Sequence, residues 1–416
     1  MSTQTLAAIQ AKRLAFLKAS RPFDIPTEKP LVTIEAAEGD DGEKGGLPPP
    51  ATEAYVAEIT ALWKDSEKYV APAREKLSRG QNSSEATPDW GVVLHELFVA
   101  WIVNLGRDPL VGEARKAAKA GDTKGAAILL DQSQELIYKA AENLGLEWIP
   151  FIDLALTGFD PEEPEEKQES GPFGGVFINR GEFPFMILAF KGTTYQKEVN
   201  TDKGFYTVKP REGVLYDEGV HRGMYQGMFE RFPGYENIGD AFDIIFENLE
   251  LVAGDIQSTK KVPVPLYVTG HSLGAGYGDL AYIQLTSRLA TESTSYKLLD
   301  LHIYGAPRTG LNALAVKVKQ VLEDTERHLW RITRVNDIVP TLPSLVPVDG
   351  KVVTYKHFDG GYRLTPGPYA TAPFVNARRS EIDGTIYNDP LPSLKWHWPE
   401  MYYEAVRKVL DSAAAA

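Results

Sequence analysis

Residues 268–276 read Val-Thr-Gly-His-Ser-Leu-Gly-Ala-Gly, and Gly270-His271-Ser272-Leu273-Gly274 is the one G-x-S-x-G of the chain. That spacing has a mechanical meaning. A serine at the tip of a tight strand-to-helix turn is held out of the sheet as an exposed nucleophile, and glycines on either side remove the Cβ atoms that would clash. Glycine is common here, 36 of 416 residues, so the context must decide. Val264-Pro265-Leu266-Tyr267-Val268 precedes the motif as a short apolar run of buried-strand type. Gly274-Ala275-Gly276 follows, small enough to start a helix tight against a sheet, and apolar residues continue at helical spacing to Ile283. The chemistry implied is acyl transfer through Ser272.

A serine hydroxyl is a poor nucleophile near neutral pH. It needs a general base, and the base needs a carboxylate to orient it. In strand–elbow–helix enzymes the chain order is Ser, then Asp or Glu, then His. Of seven histidines, only His302, His328, His357 and His397 follow Ser272. His302 lies inside the strand-like run Leu301-His302-Ile303-Tyr304 and reads as a core histidine. His328 opens a strand. His357 and His397 remain, and His397 sits in the loop-like Lys395-Trp396-His397-Trp398-Pro399, which can hang a ring over a sheet edge. Asp337 follows the run Trp330–Val335, so it falls at the carboxyl end of a strand. It also fits a turn cap, and Asp349 and Asp359 are alternatives for the acid. Oxyanion donors are expected from the strand end Phe190-Lys191-Gly192-Thr193-Thr194, through backbone and the Thr193 hydroxyl, together with the N–H of Leu273.

The elements that must position these groups form an α/β pattern from Gly174 onward. Val176–Ile178 and Phe185–Phe190 read as a hairpin of two strands. An amphipathic helix over 237–253, the strand 264–269, a helix over 273–290, a strand over 299–304, a helix over 312–322 and a strand over 329–335 follow. Strands alternating with helices predict a largely parallel sheet with helices on both faces and functional groups at the strands' carboxyl ends. The first 150 residues read as helical: Ala51 to Val70, Asp89 to Leu105 with Asp89 as N-cap, and Ala126 to Leu144. Their apolar faces need cover, so residues 1–150 are expected to be a helical extension packed on a catalytic domain of residues 151–416.

Composition excludes several function classes. There is no cysteine, hence no disulfide, thiolate metal site or cysteine nucleophile. The net charge of −13 argues against a nucleic-acid partner and against docking on anionic lipid. Six carboxylates lie within residues 160–169, which reads as a solvated surface connection rather than a metal site. The longest apolar runs, Phe183 to Phe190 and Leu97 to Val103, fall far short of the ~18–20 residues that cross a bilayer. Met1 to Leu6 has neither the basic start nor the apolar core of a signal peptide. The chain is therefore expected in the cytoplasm, or outside the cell if a leader has been removed. No P-loop or dinucleotide fingerprint occurs, and no metal or organic cofactor is expected.

Five blocks, in order, carry a resemblance. Phe190-Lys191-Gly192-Thr193 resembles an F-R-G-S/T oxyanion strand, with Lys in place of Arg. Val220-His221-Arg222-Gly223-Met224 resembles V-H-x-G-F. Gly270–Gly274 resembles G-H-S-L-G, Tyr304–Gly310 resembles F-G-x-P-R-x-G, and Arg334–Pro343 resembles the block around the family's acid, with a shortened gap before Asp337. Together they make residues 170–410 similar to the class 3 lipases, the α/β-hydrolase family of fungal triacylglycerol lipases and feruloyl esterases. The resemblance implies Ser272 as nucleophile, Asp337 as acid, His397 as base, and Thr193 and Leu273 as oxyanion donors. It also implies that His221 is structural and that His271 points away from the chemistry. His397 stands in Trp-His-Trp rather than the family's D-H-x-x-Y-F, and no Asp-Trp follows Thr194. The family's lid slot corresponds to Tyr195–Tyr216, which is polar and lacks a broad apolar face. The resemblance thus implies a carboxylic ester hydrolase for acylglycerols or similar lipid esters, with weak activation at a lipid–water interface. A feruloyl esterase with the same triad, an acyltransferase and a non-catalytic signalling scaffold are the alternatives.

Overall fold

The computed structural model describes residues 1–20, 50–80, 87–154, 171–192, 207–232, 234, 236–343, 345–348, 351–358, 361–364 and 394–415. The acidic run 160–169, Asp349, Asp359 and Thr193 lie outside them.

Among the described residues, seven strands form the central sheet. In chain order the strands are β1 (Glu147–Asp153), β2 (Phe173–Asn179), β3 (Phe185–Phe190), β4 (Thr207–Val208), β5 (Val220–His221), β6 (Val264–His271), β7 (Tyr296–Tyr304), β8 (Leu329–Arg334), β9 (Leu345–Val348), β10 (Lys351–Thr354) and β11 (Gly361–Leu364). The sheet runs β1-β2-β3-β6-β7-β8-β11, and β4–β5 and β9–β10 are separate two-stranded ribbons. The β1–β2 and β2–β3 pairs are antiparallel, while β3, β6, β7, β8 and β11 run parallel. A mostly parallel sheet flanked by helices, with the strand–serine–helix turn on its central strand, is the α/β-hydrolase fold. The β3 strand is apolar along its length, and β6 as far as Val268, because both of their faces are covered.

Alternation along each strand sorts the core into two layers. Met186, Leu188, Phe190, Leu266 and Val268 face one side, with α1 (Thr3–Ala19), α7 (Arg222–Phe229), α8 (Ala241–Lys260), α9 (Leu273–Leu289) and α10 (Asn312–Asp324). Phe185, Ile187, Ala189, Tyr267 and Tyr304 face the other. That second layer contains α2 (Glu53–Asp65), α3 (Glu67–Arg79), α4 (Trp90–Ile102), α5 (Asp108–Lys119), α6 (Thr123–Asn143) and α11 (Pro399–Ala415). α4 is its centre. Every residue from Gly91 to Ile102 is buried, and the helix lies on β3, β6 and β7 with α11 across it. Burying one Leu, Val or Phe side chain is worth about 1.5–3 kcal/mol, so the helix–sheet contact is a principal source of stability. Polar ties reinforce it. Tyr304 donates its hydroxyl hydrogen to the Val93 carbonyl at 2.5 Å, and Tyr267 donates to the Leu77 carbonyl at 3.1 Å.

Several elements differ from the sequence reading. The segment 51–70 is two helices, because the amide of Ser66 turns back to Leu62 and Trp63 while its carbonyl opens the next helix toward Tyr69 and Val70. α1 carries no single apolar stripe and escapes the helical pattern. β1 contains Pro150, which reads against a strand. It occupies the sheet edge, with an irregularity in pairing between Pro150 and Ile152 that accommodates the missing N–H. Its last residue, Asp153, is buried against Arg13 of α1 at 2.7 Å and Gln134 of α6 at 2.7 Å. No described helix is long and apolar enough to cross a membrane.

Candidate active site

β6 ends at His271 and α9 starts at Leu273, leaving Ser272 alone on the turn with φ 60° and ψ −132°. This is a costly conformation for a residue with a Cβ, sustained by the structure around it. The Ser272 amide donates to the Tyr304 carbonyl at 3.0 Å, and its own carbonyl accepts from Ala275 and Gly276. Leu273 opens the helix, so its amide has no acceptor within that helix.

The three residues singled out for the chemistry come together from three loops at the carboxyl end of the sheet. His397 Nε2 lies 2.7 Å from Ser272 Oγ, and His397 Nδ1 lies 2.8 Å and 3.0 Å from the two Asp337 oxygens. All three are nearly enclosed, with Ser272 7% exposed, Asp337 4% and His397 2%. Asp337 is also a turn cap, since Oδ1 accepts the Val339 amide at 2.9 Å. Its Oδ2 accepts the hydroxyl of Tyr402 on α11 at 2.5 Å. The turn that delivers Asp337 passes through Asn336 at φ 70°, a conformation asparagine tolerates better than most residues. The loop that delivers His397 is braced by Arg334, whose guanidinium lies 4.5 Å from the Trp396 ring.

His357 stands elsewhere. It is hydrogen-bonded through Nε2 to the Pro340 carbonyl at 2.7 Å, and burial, then the nearby Arg331 and Arg308 charges, hold its pKa well below the usual imidazole value. His302 lies inside β7 with Nδ1 3.3 Å from buried Glu96 of α4. His221 caps α7, its Nδ1 accepting the Met224 amide at 3.4 Å.

His271 corrects the expectation that it points away from the chemistry. Successive strand residues face opposite sides, and the side that His271 takes is the one crossed by α11 and the loop before it. Its ring lies 4.6 Å from that of His397, and its Nε2 is 2.6 Å from the His397 carbonyl. Burial first, then the charge His397 can carry, lowers its pKa well below the usual value. It is therefore neutral, and its Nε2–H donates to that carbonyl. Sequence reasoning also missed Tyr402 and, on the opposite flank of the serine, Asn104. The Asn104 Oδ1 accepts the Gly192 amide at 2.7 Å. Beside it, Lys191 makes a buried ion pair with Asp108 at 2.6 Å. The end of β3 lies hard against the elbow. A Cβ on Gly192 would meet the His271 carbonyl oxygen at 2.6 Å and Ser272 Cβ at 3.1 Å.

Among known proteins, residues 187–346 match the family model described as lipase (class 3), well under half of the chain. All five sequence blocks fall inside that stretch, whereas His397 lies beyond it. The triacylglycerol lipase OBL1 of Arabidopsis thaliana is 38% identical over 93 residues, 22% of this chain and 17% of that protein. Its namesake in Ricinus communis is 35% identical over 91 residues, 22% of this chain and 16% of the relative. The matched stretch thus spans less than a fifth of either plant protein. Among solved structures, the Lip2 lipase of Yarrowia lipolytica is 20% identical with a TM-score of 0.36, covering 54% of this chain and 68% of that one. A Rhizomucor miehei lipase propeptide complex is 16% identical with a TM-score of 0.38, covering 94% and 93%.

Proposed function

We propose that the protein is a serine carboxylic ester hydrolase acting on acylglycerols or similar lipid esters. The observation that carries this reading is the unbroken hydrogen-bond chain from Ser272 Oγ through both nitrogens of His397 to Asp337. Ser272 Oγ attacks the ester carbonyl while His397 Nε2 takes its proton. Asp337 holds the imidazole in the tautomer that accepts at Nε2 and stabilises the imidazolium that forms. The tetrahedral oxyanion is received by the amide of Leu273 and by the strand end at Thr193, each such donor being worth ~10²–10³ in rate. Collapse expels the alcohol, which takes the proton from His397. Water then enters by the same route in reverse and releases the acid.

The substrate class rests on the class 3 lipase match and on the printed name of the plant relatives, triacylglycerol lipase. The polar stretch after Thr194 supports good activity on soluble short- and medium-chain esters with weak interfacial activation, since a lipid-activated lid needs apolar surface to expose. Hydrolysis of a p-nitrophenyl ester series from acetate to palmitate tests both levels. Ser272→Ala and His397→Ala are expected to lose about 10⁴-fold or more in kcat while remaining folded, with the wild type fastest on the shorter chains. Full activity in His397→Ala would remove that residue as base. A wild type inert on the whole series would move the reading to aromatic esters or to a non-catalytic scaffold.

A further inference from the structure

The peptide groups on either side of Gly192 are tied to the helical region, one directly through Asn104 and the other through Lys191, which Asp108 fixes. The N–H of Gly192 donates to Asn104 Oδ1 at 2.7 Å, and the Asn104 amide nitrogen donates in turn to the Ala100 carbonyl at 3.1 Å. These two bonds fix which way the amide of Asn104 faces. The carbonyl of Gly192 accepts from Lys191 Nζ at 3.1 Å, and the same ammonium is fixed by Asp108 at 2.6 Å with both side chains out of solvent. Asn104 lies in the middle of the short helical turn Val103–Leu105 after α4, and Asp108 opens α5. Gly192 lies hard against the elbow, where a Cβ on it would meet Ser272 Cβ at 3.1 Å, so the way its peptide groups are held shapes the space beside the nucleophile. A buried charge pair resists movement because separating it strands two charges out of water.

We propose that Asn104 is a positioning residue for ester hydrolysis: with Asp108 behind Lys191, it locks the Gly192 peptide groups so that this strand end faces the oxyanion formed at Ser272. The catalytic site is on this account shared between the helical region and the sheet. The inference rests on the hydrolase reading above.

Asn104 is the residue to change, since it is neutral and only half-buried, whereas removing Asp108 strands a buried lysine. Steady-state kinetics on p-nitrophenyl butyrate, inhibition by an alkyl trifluoromethyl ketone, and thermal melting are compared for the wild type, Asn104→Ala and the isosteric Asn104→Leu. The expected result is a kcat lowered about 10- to 100-fold, a KM within about two-fold, and ketone affinity weakened by the same factor as kcat, with the melting temperature nearly unchanged. An unchanged kcat in both variants overturns the proposal. So does a fall in kcat with undiminished ketone affinity, which locates the loss away from the oxyanion. Unfolding of both variants overturns it as well, because the residue then serves the core. Ser272→Ala run alongside separates the two levels: if that variant keeps wild-type activity, the hydrolase reading itself fails.

Discussion

Asp337 shows what a buried carboxylate requires. It is almost fully enclosed, yet it meets the imidazole of His397, the amide of Val339 and the hydroxyl of Tyr402. Each donor offsets lost hydration, and a hydrogen bond to a charged group is worth about 1.5–3 kcal/mol. Tyr402→Phe keeps the ring and removes one of those donors, so the carboxylate that orients His397 is held less firmly. Its kcat is expected to fall roughly 10-fold with KM nearly unchanged, read on p-nitrophenyl butyrate beside a melting curve; an undiminished kcat would mean the hydroxyl does not help to position the acid. Ser272 was legible from its pentapeptide, Asp337 from its place after a strand, and His397 from chain order together with its loop. Tyr402 and Asn104 were not, since each acts across 65 and 88 residues of chain and no local spacing marks such a partner. The role of His271 failed for a related reason: the motif fixes its position but not which later segment passes over it.

At the scale of elements, the loops do the positioning and the strands fix where the loops begin. β7 hands over to Gly305 at φ +57°, and a Cβ there would lie 2.8 Å from His397 Cε1 and 3.1 Å from Asp337 Oδ2. The backbone turns sharply under the imidazole, and only a bare Cα leaves room for it. Gly305→Ala is expected to lower kcat/KM by more than about 100-fold while unfolding only modestly earlier, as read by ester hydrolysis beside a melting curve. Loss of stability without loss of activity in the folded fraction would contradict the crowding argument. The parallel strands β3, β6, β7 and β8 were legible because covered faces demand continuous apolar runs, and the helix after the elbow because small residues must precede it, whereas the short, half-buried β11 was not read. β1 was hidden by Pro150, and the break at Ser66 by an apolar pattern that continues through it.

At the scale of the whole molecule, the α/β layering was foreseeable from alternation, but the share of the core held by the first 150 residues was not, since periodicity shows that a face is apolar without saying what it covers. Stability should carry the mark of one buried acid. Burial pushes the Asp279 carboxyl in α9 up to about 8, against the opposing pull of the Arg331 charge and the Thr309 hydroxyl. The unfolded carboxyl titrates near 3.9. Between about pH 4 and pH 8 the folded state therefore keeps a proton that the unfolded state has released, and stability falls as pH rises through that window. Asp279→Asn stays neutral in both states. Its urea midpoint is expected to gain on that of the wild type steadily from pH 5 to pH 8; parallel midpoints would mean that the folded carboxyl is already ionised.

The packing of α11 across α4 gives the protein a particular order of birth. On the ribosome α4 emerges before every strand it will cover, with a surface that is apolar except at His95 and Glu96. The segment that completes its cover is α11, made near the close of this sequence, and that same stretch carries His397 and Tyr402. Such long-range closure exposes sticky surface for as long as translation lasts. The proposed base, His397, would thus stay out of place until α11 docks, so the proposed hydrolysis would begin only once α4 is covered.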